Sequence, residues 1–143
     1  MVDDARLARL RRFFETLSPE SLDGIGAVYA RDAWFKDPFN EVRGVAAIEA
    51  VFRHMFVQVQ APRFVIHDAV IDGDRAFVVW EFRYRMRRFR RGEQAIRGAS
   101  HLRFDDAGLV VFHRDYWDAA EELYAKLPLL GGLMRFLRRR AAS

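Results

Sequence analysis

Residues 21–38 read SLDGIGAVYARDAWFKDP, and the change of period inside this stretch decides the fold. Leu22, Ile25, Val28 and Tyr29 recur at helical spacing and form one apolar face. Just upstream, Ser18-Pro19 supplies an N-cap serine with proline at the first helical position, so a helix is expected to begin there. Beyond it, residues 33–35 read as a short extended piece. Asp37-Pro38-Phe39-Asn40 then reads as a turn, since Asp and Asn bond their own backbone and Pro presets φ.

Upstream of this stretch, Leu7, Leu10, Phe13, Phe14 and Leu17 make the apolar stripe of a first helix, with Asp3 or Asp4 available as its cap. Downstream, Gly44 precedes a third helix with Ile48, Val51, Phe52, Met55, Phe56 and Val59 on one face, and Pro62 reads as its end. From there the period becomes two. Strands are expected near residues 63–71, 75–90, 95–105 and 109–117, separated by turns at Asp72-Gly73-Asp74, Arg91-Gly92-Glu93 and Asp105-Asp106-Ala107-Gly108. A last helix is expected from Asp118 through Leu127, broken at Pro128 and Gly131-Gly132 and resumed over 133–140. No repeat or linker divides the chain, so residues 1–143 are expected to form one domain. Helices followed by an antiparallel meander argue for an α+β architecture. The expected form is a cone: a curved, mostly antiparallel sheet wrapped around N-terminal helices, with a C-terminal helix. The mouth of such a cone is where a small ligand binds.

Composition narrows the classes further. With 51% hydrophobic and 14% aromatic residues in 143, the chain can bury a core and is not a disordered or low-complexity segment. No apolar run approaches the roughly 20 residues of a membrane span, and the N-terminus shows no apolar signal stretch, so a cytoplasmic protein is expected. The absence of Cys excludes disulfides and thiolate metal sites. Net charge is +4, carried almost wholly by arginine. The densest basic run, residues 83–91, alternates Arg with aromatic residues as a half-buried strand does, with its charges outward. No recognition motif accompanies it, so nucleic acid is not the expected partner. The basic amphipathic run after Gly132 is short and interrupted. It is read as closing the cone or a dimer edge, not as a membrane anchor.

The segment Val28-Tyr29-Ala30, Asp32-Ala33, Asp37-Pro38, then Gly44 before Ala46-Ala47-Ile48, resembles the helix-to-turn segment of ketosteroid isomerases and SnoaL-like proteins of the nuclear transport factor 2-like superfamily. The run His113-Arg114-Asp115-Tyr116-Trp117-Asp118 is similar to the last strand of limonene-epoxide-hydrolase-like members. The resemblance extends from the first helix to the last strand. It implies the cone fold, a small apolar ligand or substrate, a homodimer, and no cofactor. The superfamily's chemistry is diverse, so the reaction has to be read from individual residues.

In ketosteroid isomerases the Asp of the Asp-Pro pair is the general base, which the resemblance carries to Asp37. A carboxylate in an apolar cone can act as a base near neutrality. The other reading of Asp37 is a turn-opening residue. The family's oxyanion donors fall on Phe13, which cannot donate, and on Ser100. Losing one such donor costs roughly 2.7–4 kcal/mol of transition-state stabilisation, so steroid isomerisation is not expected. Asp115 falls where the epoxide hydrolases carry one of their carboxylates, but the inward face of the second long strand reads Trp80, Phe82, Tyr84, Met86 and lacks their Arg-Asp pair. His113 and Asp115, two apart on one strand face, form a candidate acid–base pair. The expected catalytic residues are therefore Asp37, Asp115 and His113. Phe13, Trp34, Phe56, Trp80, Phe82, Tyr84, Ser100 and Trp117 are expected to line the ligand pocket. His54, His67 and His101 are too scattered for a metal site, and none is expected. The expectation is a cofactor-independent isomerase, cyclase or hydratase acting on a small apolar carbonyl or polyketide-like compound. The alternative is a non-catalytic apolar-ligand-binding or dimeric interaction module.

Overall fold

The computed structural model describes residues 4–86, 92–122, 137 and 139–141. Helix α1 (Ala5–Glu15) is capped by Asp4, whose side chain accepts from the Arg6 amide, and it buries Leu10, Phe13 and Phe14. A 3₁₀ helix spans Ser21–Ala27, followed by strands β1 (Tyr29–Lys36) and β2 (Glu41–Arg43). Helix α2 (Val45–Gln58) starts after Gly44, whose φ of 100° favours glycine. Four strands follow: β3 (Val59–Asp72), β4 (Arg75–Met86), β5 (Glu93–Phe104) and β6 (Val110–Tyr116). A short α3 (Ala119–Glu122) comes after them.

The six strands form one sheet in the order β2-β1-β6-β5-β4-β3, antiparallel except for the β1–β6 pair. The fold is the α+β cone: a curved sheet with the N-terminal helices against its inner face. The core joins Leu10 and Phe14 of α1 and Ile48 and Phe52 of α2 to Phe35, Trp80, Leu102 and Val110 of the sheet.

Three sequence expectations change. The second helix does not run from Ser18-Pro19 to Tyr29. Ser18 and Ser21 bond each other's amides through their hydroxyls, at 3.0 and 2.9 Å, and a single 3₁₀ segment follows. Gly24 and Gly26 weaken a longer helix. Tyr29 instead opens β1, where pairing with β6 satisfies the backbone. Helix α2 ends at Gln58, four residues before Pro62. Pro62 lies inside β3 in the irregular stretch between Gln60 and Arg63, where proline is tolerated because the ladder is already interrupted. The strand β2 had no signal of its own. The tip of the β4–β5 hairpin and the expected amphipathic C-terminal helix lie largely outside the described residues. No described helix is long and apolar enough to cross a membrane.

Candidate functional site

Alternation places Ala76, Val78, Trp80, Phe82 and Tyr84 of β4 on the inner face, with Phe77, Val79, Glu81 and Arg83 outside. On β5 and β6 the inner positions are Ile96, Gly98, Ser100, Leu102, His113 and Asp115. Ser100 and Asp115 are register partners, and so are Trp80 and Gly98. These pairings bring four polar groups from three strands together in an apolar interior.

The groups form one hydrogen-bonded chain. Trp80 Nε1 donates to Ser100 Oγ at 2.8 Å, and Ser100 Oγ donates to Asp115 Oδ1 at 2.5 Å. The same Oδ1 lies 2.6 Å from His113 Nε2. On the far side of the ring, His113 Nδ1 lies 2.7 Å from the Tyr29 hydroxyl. His113 is 2% exposed and Tyr29 1%. His113 is enclosed by Phe14 and Phe35, and its ring is parallel to that of Tyr29 at 5.9 Å. Burial, and secondarily the Asp115 charge, push the Tyr29 phenol well above its ordinary pKa. Asp115 Oδ2 has no hydrogen bond within the described residues.

Asp115 borders two spaces. Inward lies a void of about 20 Å³ walled by Phe14, Phe52, Phe64, Ile66, Val78, Trp80, Ser100, Leu102 and His113, about the room a single water needs. Outward lies an open groove of about 640 Å³ bounded by Lys36, Asp37, Pro38, Arg114, Tyr116, Trp117 and Asp118. The interior is nearly solid because Phe14, Phe52 and Phe64 fill it with tilted and edge-on ring contacts at 5.6–6.1 Å.

The sequence-predicted residues separate accordingly. Trp80, Ser100, His113 and Asp115 come together. Asp37 faces the outer groove, and its Oδ1 accepts from the Phe39 and Asn40 amides at 2.8 and 2.7 Å and from Asn40 Nδ2 at 3.1 Å. The Asp37 carboxylate thus serves its own turn. Trp34 is a correction. It lies on the outer face, stacked on Phe112 at 4.9 Å, because Tyr29, Ala33 and Phe35 take the inner positions of β1. Phe13 packs behind the void against Phe14, Tyr29 and Phe52. Phe56 is half-buried at the core's margin. Phe82 and Tyr84 stack on each other at 5.3 Å, farther along β4. Trp117 borders the outer groove, edge-on to Phe39. The member that sequence reading missed is Tyr29, which was assigned to a helix face. Only Ala33 and Phe35 alternate, and the pairing is irregular between Tyr29 and Trp34, so no local pattern placed Tyr29 on the inner face. Among the described residues no cluster of His, Asp and Glu is arranged to hold a metal ion.

The SnoaL-like domain model matches residues 10–113, and the chain belongs to that family. No curated protein matches the sequence significantly. Among solved structures, the chain is similar to a protein of ketosteroid isomerase-like fold from Catenulispora acidiphila, solved with trimethylamine. The two are 16% identical over 89% of this chain and 96% of that one, with a TM-score of 0.74. It is also similar to an NTF2-like protein of unknown function from Burkholderia pseudomallei, at 21% identity over 82% and 94% of the chains with a TM-score of 0.72. A third similar structure is an LEH-like epoxide hydrolase from M. tuberculosis, at 20% identity, 94% and 96% coverage and a TM-score of 0.70. At these identities the likeness is one of fold.

Proposed function

We propose that the protein is a cofactor-independent proton-transfer enzyme of isomerase, cyclase or hydratase type, acting on a small, mostly apolar carbonyl or polyketide-like compound. The observation that carries this reading is the asymmetry of Asp115. Its Oδ1 is held by Ser100 and His113, while Oδ2 is unbonded among the described residues, and the residue borders both void and groove. In the proposed reaction Oδ2 takes a proton from a carbon beside the substrate carbonyl. The C–H electron pair becomes the enolate, and the proton returns to a different atom of the same molecule. Lys36 and Arg114 border the same groove and supply positive charge for the enolate oxygen, a role left open by Phe13 at the family's donor position. A void of water size suits a methyl or methylene end of the substrate, with its bulk in the groove. Relatives solved with a small amine or named as an epoxide hydrolase agree with a small-molecule site.

The test is exchange of carbon-bound hydrogen for deuterium in a panel of small ketones and enones in heavy water, followed by NMR. Acceleration by the native protein and its loss in Asp115→Asn is the expected result. Saturable binding with no exchange in either protein would leave the non-catalytic ligand-binding reading.

A second reading concerns assembly. Phe77, Val79 and Tyr116 are about half exposed on the outer sheet face, next to Phe112 and Trp34. Antiparallel sheets with apolar groups on both faces usually cover the second. A homodimer through this face is the reading they support. Light scattering at micromolar concentration tests it, and a monomer mass contradicts it.

A further inference from the structure

The chain from Tyr29 to Trp80 has a direction, because its Trp80 end can act only as a donor and its Tyr29 end has a single partner among the described residues. The Trp80 indole nitrogen has a proton and no lone pair to offer, so Ser100 Oγ must accept from it. The Ser100 hydroxyl proton is then free to point only at Asp115 Oδ1, 2.5 Å away. At the opposite end, the Tyr29 hydroxyl has His113 Nδ1 as its single hydrogen-bond partner among the described residues. If Tyr29 accepted there, its own proton would be left without an acceptor, surrounded by Phe13 and Phe52. Burial and the Asp115 charge also oppose loss of that proton. Donation from Tyr29 makes Nδ1 the bare nitrogen of the ring and leaves the His113 proton on Nε2, facing Asp115. A doubly protonated ring would need Tyr29 to accept at Nδ1, which again strands the Tyr29 proton.

We infer that Tyr29 and Trp80 are positioning residues that polarise this chain toward Asp115. His113 is thereby held as the neutral Nε2–H tautomer and does not itself exchange protons with substrate. Two donors converge on Oδ1, and Oδ2 is the only oxygen of the carboxylate left to act. The inference rests on the proton-transfer reading for its purpose but not for its test, and it changes the role of His113 from one half of an acid–base pair to a fixed donor.

The experiment is ¹⁵N–¹H correlation NMR of histidine-labelled protein, with the His113 ring signals assigned by their loss in His113→Asn. The expected native spectrum has one protonated and one bare ring nitrogen, with the proton on Nε2. Tyr29→Phe removes one oxygen and should release the tautomer, giving an Nδ1–H signal, whereas Ser100→Ala should leave the tautomer in place. A native ring protonated on both nitrogens, or on Nδ1, overturns the inference, as does a Tyr29→Phe spectrum identical to the native one. These spectra need no substrate. A protein that exchanges no carbon acid can still show the polarised chain, and an active protein can fail to show it, so the two failures are distinguishable.

Discussion

The two faces of β6 carry opposite kinds of chemistry on alternate residues. Inward, His113 is buried and Asp115 half-buried, and short hydrogen bonds link them to each other and to two other strands, β1 and β5. Outward, Phe112 lies between Trp34 at 4.9 Å and His101 at 5.1 Å, and guanidinium groups of Arg103 and Arg114 cover the rings of Phe112 and Tyr116. The same contrast runs across β4, where Trp80 faces in and Phe77 faces out, stacked on His101 at 4.6 Å. Inside, each polar group of the chain is fixed by a defined partner, with Asp115 Oδ2 alone left unbonded among the described residues, and rearranging one disturbs the rest. Outside, aromatic and charged groups remain accessible, and the His101 Nε2 atom is shielded yet unbonded in the described structure. The inner face is organised for one arrangement, and the outer face still offers surface to something else.

Deletion on each face should separate them most strongly. Phe35→Ala removes a fully buried ring in contact with His113 and Phe52, and a loss of about 3–5 kcal/mol in urea unfolding is expected. Phe77→Ala on the outer face should change monomer stability by less than about 0.5 kcal/mol. A larger effect that grows with protein concentration would mean that a second copy covers the face.

Gly98 gives the next largest effect. The Trp80 indole crosses directly over it, and an added Cβ would sit 2.5 Å from Trp80 Cη2. Because the ring is rigid, Gly98→Ala must displace Trp80 and with it the bond to Ser100. A loss of about 1–3 kcal/mol is expected, with a changed tryptophan emission. A native-like spectrum and stability would mean that the inner face is more tolerant than its bonding implies.

The two carboxylates should then part company. Asp37→Ala removes the acceptor of two backbone amides and should cost about 0.5–2 kcal/mol, as for other side-chain caps, with any exchange activity retained. Asp115→Asn keeps an oxygen for Ser100 and His113, so its melting temperature should move less while activity disappears. The reverse pattern would restore Asp37 to the chemistry.

The smallest expected effect belongs to His101. Burial, then the charges of Arg103 and Arg75, lower its pKa from the ordinary 6.5. An unfolded chain therefore takes up a proton there that the folded chain resists. Stability should fall as pH drops below the ordinary histidine value and level off above it. Comparing melting temperature against pH for the native protein and His101→Gln checks this, since the variant should show a shallower slope over that range.

Much of the fold was legible in local pattern. The strands over residues 63–117 follow from a period of two with Gly-containing turns, and the first and third helices follow from apolar positions at helical spacing. The failures cluster in residues 21–38, where short range and long range compete. Leu22, Ile25, Val28 and Tyr29 satisfy a helical template, yet Gly24 and Gly26 make that helix weak, and β6 offers Tyr29 a ladder partner in Val110. No window around Tyr29 contains Val110, 81 residues away in the chain. Trp34 was misplaced for the same reason, since its face depends on where β1 begins.

The candidate site divides in the same way. That His113 and Asp115 share a face follows from spacing on one strand, and that Trp80 faces inward follows from alternation on another. The sequence by itself therefore determined the cone, its inner and outer faces, and which side chains could meet. Which of them do meet was decided by register, which pairs Ser100 with Asp115 and Trp80 with Gly98, and by packing, which closes the interior with Phe14, Phe52 and Phe64. Periodicity fixes the direction of a side chain, but hydrogen-bond partners at 2.5–2.8 Å depend on the offset between strands. That offset is set by turns, bulges and the packed core together.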